Sequence, residues 1–195
     1  MGTKEFDYIQ EKLQNSLDKA RYQHTIGVMY TAGCLAMAHG YSIEKAMLAG
    51  LLHDCAKCIP KDEMLRLCEE HNVEVSDSEM ANKSLLHAKA GAILAKEEYH
   101  IVDIEILHAI QVHTTGEPDM SLLDKIIYIA DYIEPGRDQA PNLDEIRALA
   151  YQDLNACAAK ISYDTLCYLK QRTYVIDPTT ELTYHFYNAY RKEID

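Results

Sequence analysis

The chain has 195 residues, 48% of them hydrophobic and 26% charged, with a formal net charge of −12. That length and balance suit one globular domain spanning 1–195, and no apolar run approaches the ~20 residues that cross a bilayer. The acidic excess argues against the basic patches that draw proteins to nucleic acid, and the start Met1-Gly2-Thr3-Lys4-Glu5-Phe6 lacks the basic-then-apolar order of a signal peptide, so a cytoplasmic protein with reduced thiols is expected.

Apolar positions recurring every three or four residues predict helices near 5–20, 22–39, 43–56, 61–72, 82–98, 102–113, 121–134, 142–171 and 179–192. No strand pattern of useful length interrupts them, so the fold class is all-α, a helical bundle. On the second helix His24 shares a face with Val28, Thr31 and Leu35. His39-Gly40-Tyr41 ends that helix and Ser42 caps the next. The third carries the run Ala46-Met47-Leu48-Ala49-Gly50-Leu51-Leu52, which closes on His53-Asp54. Further along, His87 aligns with Ala90, Gly91 and Leu94, and His113 with Val102, Ile106, Ala109 and Ile110. Thr115-Gly116-Glu117-Pro118 breaks the chain and Ser121 can cap the succeeding helix. Asp131 then comes after Ile126-Ile127-Tyr128-Ile129-Ala130, and Pro135-Gly136 stops that helix sharply.

A lone histidine on an apolar face is ordinarily a satisfied core residue, and a lone aspartate ordinarily pairs with Lys or Arg. His24, His53, His87, His113, Asp54 and Asp131 together ask for one shared explanation. A carboxylate closing an apolar run is costly unless compensated, and imidazole with carboxylate is a divalent-metal donor set. A bound metal would relieve all six at once. The chain has no Gly-rich phosphate loop, no dinucleotide fingerprint and no nucleophile elbow. Cys55-Ala56-Lys57-Cys58 is a lone C-x-x-C without a second pair. Asp124 reads as a helix-start carboxylate behind Ser121, His108 as boundary packing, and His39 as a helix-end residue. Glu134 reads either as a partner for Arg137 or as a solvated helix end.

His24, His53-Asp54 and Asp131, in that order, match the H…HD…D signature of the HD-domain metal-dependent phosphohydrolases. His87 and His113 fall where dinuclear members carry two more histidines. Ala49-Gly50-Leu51-Leu52-His53-Asp54-Cys55-Ala56-Lys57, Lys125 to Arg137, and Arg172 to Pro178 resemble the bacterial YqeK-type branch. That resemblance implies symmetrical hydrolysis of bis(5′-nucleosyl) tetraphosphates, diadenosine tetraphosphate giving two ADP. It implies iron in a dinuclear site, with manganese, cobalt, nickel and zinc also suited to such donors. By the same resemblance His24, His53, Asp54 and Asp131 are primary metal ligands, and His87 and His113 serve a second metal or phosphate. Asp54, Cys55, Ala56, Lys57, His87, His113, Thr114, Asp131, Arg137 and the stretch Tyr174, Val175, Ile176, Asp177, Pro178 and Thr179 line the nucleotide pocket, with segment 172–179 closing it. Tyr174 reads equally as a wall for the base or as core packing.

The chemistry is consistent with this set. Water attacks a phosphoanhydride poorly, and a metal makes it a nucleophile near neutral pH. Asp54 has two oxygens and so can bridge two metals. Asp131 can act on the attacking water, Lys57 lies near the same site, and Arg137 can turn a donor fork onto phosphate. In the same fold, the alternatives are a phosphatase for nucleoside monophosphates or another phosphoester, and a non-catalytic nucleotide-binding regulator. A small nucleotide is the expected partner; neither nucleic acid nor membrane is expected, and a homodimer is left open.

Overall fold

The computed structural model describes residues 3–172 and 175–191. Within them the chain is helical throughout, with no strand. The helices are α1 (Thr3–Ser16), α2 (Lys19–Ala38), α3 (Ile43–Leu52), α4 (Lys61–Glu70), α5 (Asp77–Ala81), α6 (His87–Glu97), α7 (Ile104–Val112), α8 (Leu122–Ile133), α9 (Leu143–Ala150), α10 (Leu154–Lys170) and α11 (Pro178–Arg191), with a 3₁₀ turn at Lys83–Leu86. Among these residues no helix is long and apolar enough to cross a membrane.

Local chemistry explains the boundaries. Asp18 opens α2 by accepting from the Arg21 amide. Gly40, at φ +68°, lets the chain turn, and the Tyr41 amide reaches back to the Ala36 carbonyl. Ser42 caps α3 through the Lys45 amide. Ser121 and Asp124 form a reciprocal capping box on α8, which places Asp124 where the sequence puts it, at a helix start.

Three expectations are corrected. The helix expected over 142–171 is two helices, because the Asp153 side chain caps a new start by accepting from the amides of Asn155 and Ala156. The helix expected over 82–98 begins with the 3₁₀ turn, and α5 precedes it on a Ser76–Glu79 capping box. The helix expected over 43–56 ends at Leu52. Beyond it the chain tightens, with Cys55, Lys57 and Ile59 amides bonded to the Leu52, Asp54 and Ala56 carbonyls.

The core joins the apolar faces of α2, α3, α7 and α8, with Leu35, Leu51, Leu52, Ile110, Ile126 and Ile127 fully buried. The α2–α3 pair packs most closely. At its crossing, a Cβ on Gly50 would stand 3.0 Å from the Met29 Cα and 3.2 Å from the Val28 carbonyl oxygen, so any larger residue would push the two backbones apart by a few tenths of an ångström. The C-terminal ends of α3, α7 and α8 meet the N-terminal turns of α2 and α6 at one end of this bundle. The carbonyl ends of α3, α7 and α8 favour cations there, and the amide ends of α2 and α6 favour the carboxylates.

Candidate metal centre

His53, His87 and His113 each stand at the end of a helical segment and close it in the same way. Nδ1 of His53 lies 2.7 Å from the Gly50 carbonyl, that of His87 2.6 Å from Ser84, and that of His113 2.7 Å from Ile110. A carbonyl oxygen only accepts, so each Nδ1 carries the proton and each Nε2 keeps a bare lone pair. His24, on α2, reaches the same state differently. Its Nδ1 donates to Glu134 Oε1 at 3.0 Å. All four imidazoles are thus fixed in the tautomer that offers Nε2 as a ligand.

The four Nε2 atoms surround Asp54, which is 2% exposed. Its Oδ2 lies 3.5 Å from His53 Nε2 and 3.9 Å from His24 Nε2. Its Oδ1 lies 3.2 Å from His87 Nε2 and 3.6 Å from His113 Nε2. Asp131 Oδ1 completes the first side, 3.0 Å from His24 Nε2 and 3.9 Å from His53 Nε2. On the second side the Thr114 hydroxyl lies 3.1 Å from both His87 Nε2 and His113 Nε2. The two oxygens of one carboxylate therefore face two separate pairs of imidazoles.

Three cations ring these carboxylates. Arg21 Nη1 donates to Asp54 Oδ2 at 2.7 Å, Arg137 Nη2 to Asp131 Oδ1 at 2.7 Å, and the Lys57 ammonium to His87 Nε2 at 2.9 Å. Burial raises the carboxyls of Asp54 and Asp131, yet the surrounding groups prevail. His53 foremost, with His113 and His87, holds Asp54 well below the carboxylate range. The His24 imidazole 3.0 Å away, with His53 and the Arg137 guanidinium beyond it, holds Asp131 below it as well. Burial pushes the His87 imidazole down to about 4, against the opposing pull of Asp54. At neutral pH the site holds two anionic carboxylates, and His87 is a neutral imidazole.

The donor set fits a metal. Nε2 of His24, Nε2 of His53 and Oδ1 of Asp54 are buried and make no hydrogen bond, although buried polar atoms normally do. The ligand atoms of His24, His53 and Asp131 lie within 4.8 Å of one another, as do those of His53, Asp54 and His113. Facing lone pairs at such distances repel unless a cation stands between them.

Two residues of the site escaped the sequence reading. Arg21 sits three residues before His24, a spacing that puts both on one face. Glu134, expected to orient Arg137 or to face solvent, is buried instead, holding His24 and accepting from the Gly136 amide at 2.6 Å. Gly27 makes room for it: a Cβ there would stand 2.4 Å from Glu134 Oε2. Cys55 and Ala56 are buried in the turn after α3, and the Cys55 thiol donates to the Gly91 carbonyl. Tyr174 lies outside the described residues.

Two cavities open beside the cage. One of about 470 Å³ is bordered by Arg21, His24, His113, Thr114, Asp131 and Arg137, and extends to Tyr132 and Ala140. The other, of about 350 Å³, is bordered by Lys89, Thr114, Thr115, Asp177, Pro178 and Thr179. Of the residues expected in one nucleotide pocket, His113, Asp131 and Arg137 border the first, Asp177, Pro178 and Thr179 the second, and Thr114 both, while Asp54, Cys55, Ala56, Lys57, His87, Val175 and Ile176 border neither. Val175 is exposed and Ile176 half-buried. Asp177 accepts from the Ser78 hydroxyl at 2.6 Å and the Thr179 amide at 2.8 Å, pinning the start of α11 to α5.

The HD domain matches residues 21–136, a span that contains the whole cage from His24 to Asp131. The chain belongs to the HD domain family. A symmetrical bis(5′-nucleosyl)-tetraphosphatase of Halalkalibacterium halodurans is 44% identical over 169 residues, 87% of this chain and 89% of that protein. The protein of the same name from Bacillus subtilis is 40% identical over 174 residues, 89% of this chain and 92% of its own. The solved structure of a predicted HD superfamily hydrolase involved in NAD metabolism, from Clostridium acetobutylicum, superposes with a TM-score of 0.91 at 41% identity, covering 95% of this chain and 97% of that one. HD membership implies dependence on a divalent metal, and the His/Asp cage offers the donors for it.

Proposed function

We propose that this HD protein is a metal-dependent hydrolase that cleaves dinucleoside tetraphosphates at their midpoint, taking diadenosine tetraphosphate to two ADP. Relatives that carry that activity in their names align over most of both chains. The observation that carries the reading is the division of Asp54, one oxygen toward His24 and His53 and the other toward His87 and His113. Such a carboxylate suits a two-metal site for phosphoryl chemistry.

In this reading His24, His53, Asp54 and Asp131 hold one ion, and Asp54, His87 and His113 hold a second. Iron is the proposed metal on the resemblance to the YqeK-type branch, and the imidazole and carboxylate donors accommodate it as they do manganese, cobalt, nickel or zinc. The metals supply Lewis acidity toward the phosphoryl oxygens and a nucleophilic water at neutral pH. The chain supplies the rest. Asp131, held anionic, accepts a hydrogen bond from the attacking water and orients it. Arg21, Lys57 and Arg137 exchange their carboxylate and imidazole partners for phosphate oxygens, placing three charge-assisted donors along the polyphosphate. The Thr114 hydroxyl, on a residue that borders both cavities, donates to a phosphate oxygen. The wall at Asp177, Pro178 and Thr179, in the segment 172–179, closes around a nucleoside within a single domain. Six free thiols accord with a cytoplasmic enzyme.

Chromatography of the products from diadenosine tetraphosphate tests this. The metal-loaded protein should yield ADP alone, and chelation should abolish the reaction. AMP with ATP would refute symmetric cleavage, and inorganic phosphate released from AMP would favour the phosphatase alternative.

A further inference from the structure

The expected nucleotide pocket is split in two, and the split itself has a meaning. We propose that the 470 Å³ cavity is a second nucleoside subsite, so that the substrate lies across the cage with one nucleoside in each cavity. The inference rests on the dinucleoside tetraphosphatase reading and specifies how that substrate is held.

The substrate has two equivalent halves, and cutting at the midpoint puts the central phosphates at the cage. Each half then needs room on its own side. Thr114 borders both cavities, and its hydroxyl lies 3.1 Å from both His87 Nε2 and His113 Nε2. Both volumes lie within the roughly 300–1,000 Å³ of ligand sites. The larger one carries both charged and uncharged wall. Arg21 and Arg137 stand on its wall and pair with the cage carboxylates at 2.7 Å. The wall also has uncharged surface in Ala20, Tyr132, Ala140 and Thr165. A wall with guanidinium groups at the cage and an aromatic ring beyond them suits a nucleoside whose phosphates lead toward the metals. Asp18 and Asp138 also line it and can accept from ribose hydroxyls.

The test fills the cavity from two walls, with Ala140→Trp and separately with Ala20→Trp on the exposed first turn of α2. Each variant is assayed on diadenosine tetraphosphate and on adenosine 5′-tetraphosphate, which has one nucleoside. ADP binding is counted by calorimetry in parallel. The expected result is a loss of kcat/KM of roughly tenfold or more on the dinucleotide, from lost stacking and contact, with the mononucleotide changed less than about twofold. ADP stoichiometry should fall from two per chain to one. Equal losses on both substrates, or no loss on either, overturn the inference while the parent reading stands. If wild type leaves adenosine 5′-tetraphosphate uncut, the ADP count decides alone, and one ADP per wild-type chain overturns the inference. A wild-type protein that leaves diadenosine tetraphosphate intact defeats the parent reading and this inference with it.

Discussion

Three of the cage histidines take their tautomer from the helix they terminate, each returning Nδ1–H to the carbonyl three residues back. His24 alone depends on a side chain, Glu134. Glu134→Ala should therefore weaken metal retention about 10–100-fold, while Glu134→Gln, which keeps an accepting oxygen, restores most of it. Metal content after dialysis against graded chelator measures this, and equal retention in all three proteins would contradict it. His87 gives the metal-free protein a pH signature. The unfolded chain protonates this ring near 6.5, whereas burial delays protonation in the folded chain to about 4. The unfolded state binds more protons in between, so stability falls as pH drops through that window, by on the order of 3 kcal/mol. The depressed carboxyls of Asp54 and Asp131 add stability above their ordinary range, which is lost only at lower pH. The melting temperature of chelated protein should decline from pH 6.5 to 4, and His87→Gln should flatten the decline. A wild-type profile flat across that window would be inconsistent with a buried neutral His87.

At the scale of elements, the cage exists because α2 and α3 approach closely at Gly50. Gly50→Ala meets backbone at 3.0 Å, whereas Gly33→Ala, also facing the α2–α3 interface, meets only the Met47 side chain at 2.9 Å, which can rotate. Both gain the same helix propensity, so Gly50→Ala should be the less stable in urea by about 1–3 kcal/mol. Equal midpoints would mean that the crossing yields freely. Most elements were legible in the sequence, because apolar periodicity and capping residues such as Ser42 and Ser121 act locally. The break at Asp153 was not read, since apolar residues continue in register on both sides and only one side chain interrupts them. The Ser76–Glu79 capping box was visible as a spacing, but the helix it starts is five residues long and has little periodicity. Six cage residues could be assembled from sequence because each combines a metal-donor side chain with an apolar setting. Glu134 could not, since its partner His24 lies 110 positions away and a carboxylate at a helix end looks the same whether buried or solvated.

For the molecule as a whole, the net charge of −12 opposes a polyphosphate substrate. The fold answers locally. Three helix C-termini and two carboxylates favour cations at one end of the bundle, and Arg21, Lys57 and Arg137 stand around them. In the proposed reading a polyphosphate is met by metals and these three side chains rather than by a basic surface. In the same reading the two cavities bordered by Thr114 give room for a nucleoside each. The central claim is cleavage at the midpoint of a tetraphosphate bridge centred on Asp54. The most direct measurement is the product chromatogram from a mixed substrate, adenosine(5′)tetraphospho(5′)guanosine, with metal-loaded protein. ADP and GDP in equal amounts, with no other nucleotide, is the predicted result; AMP with GTP, or GMP with ATP, would contradict it.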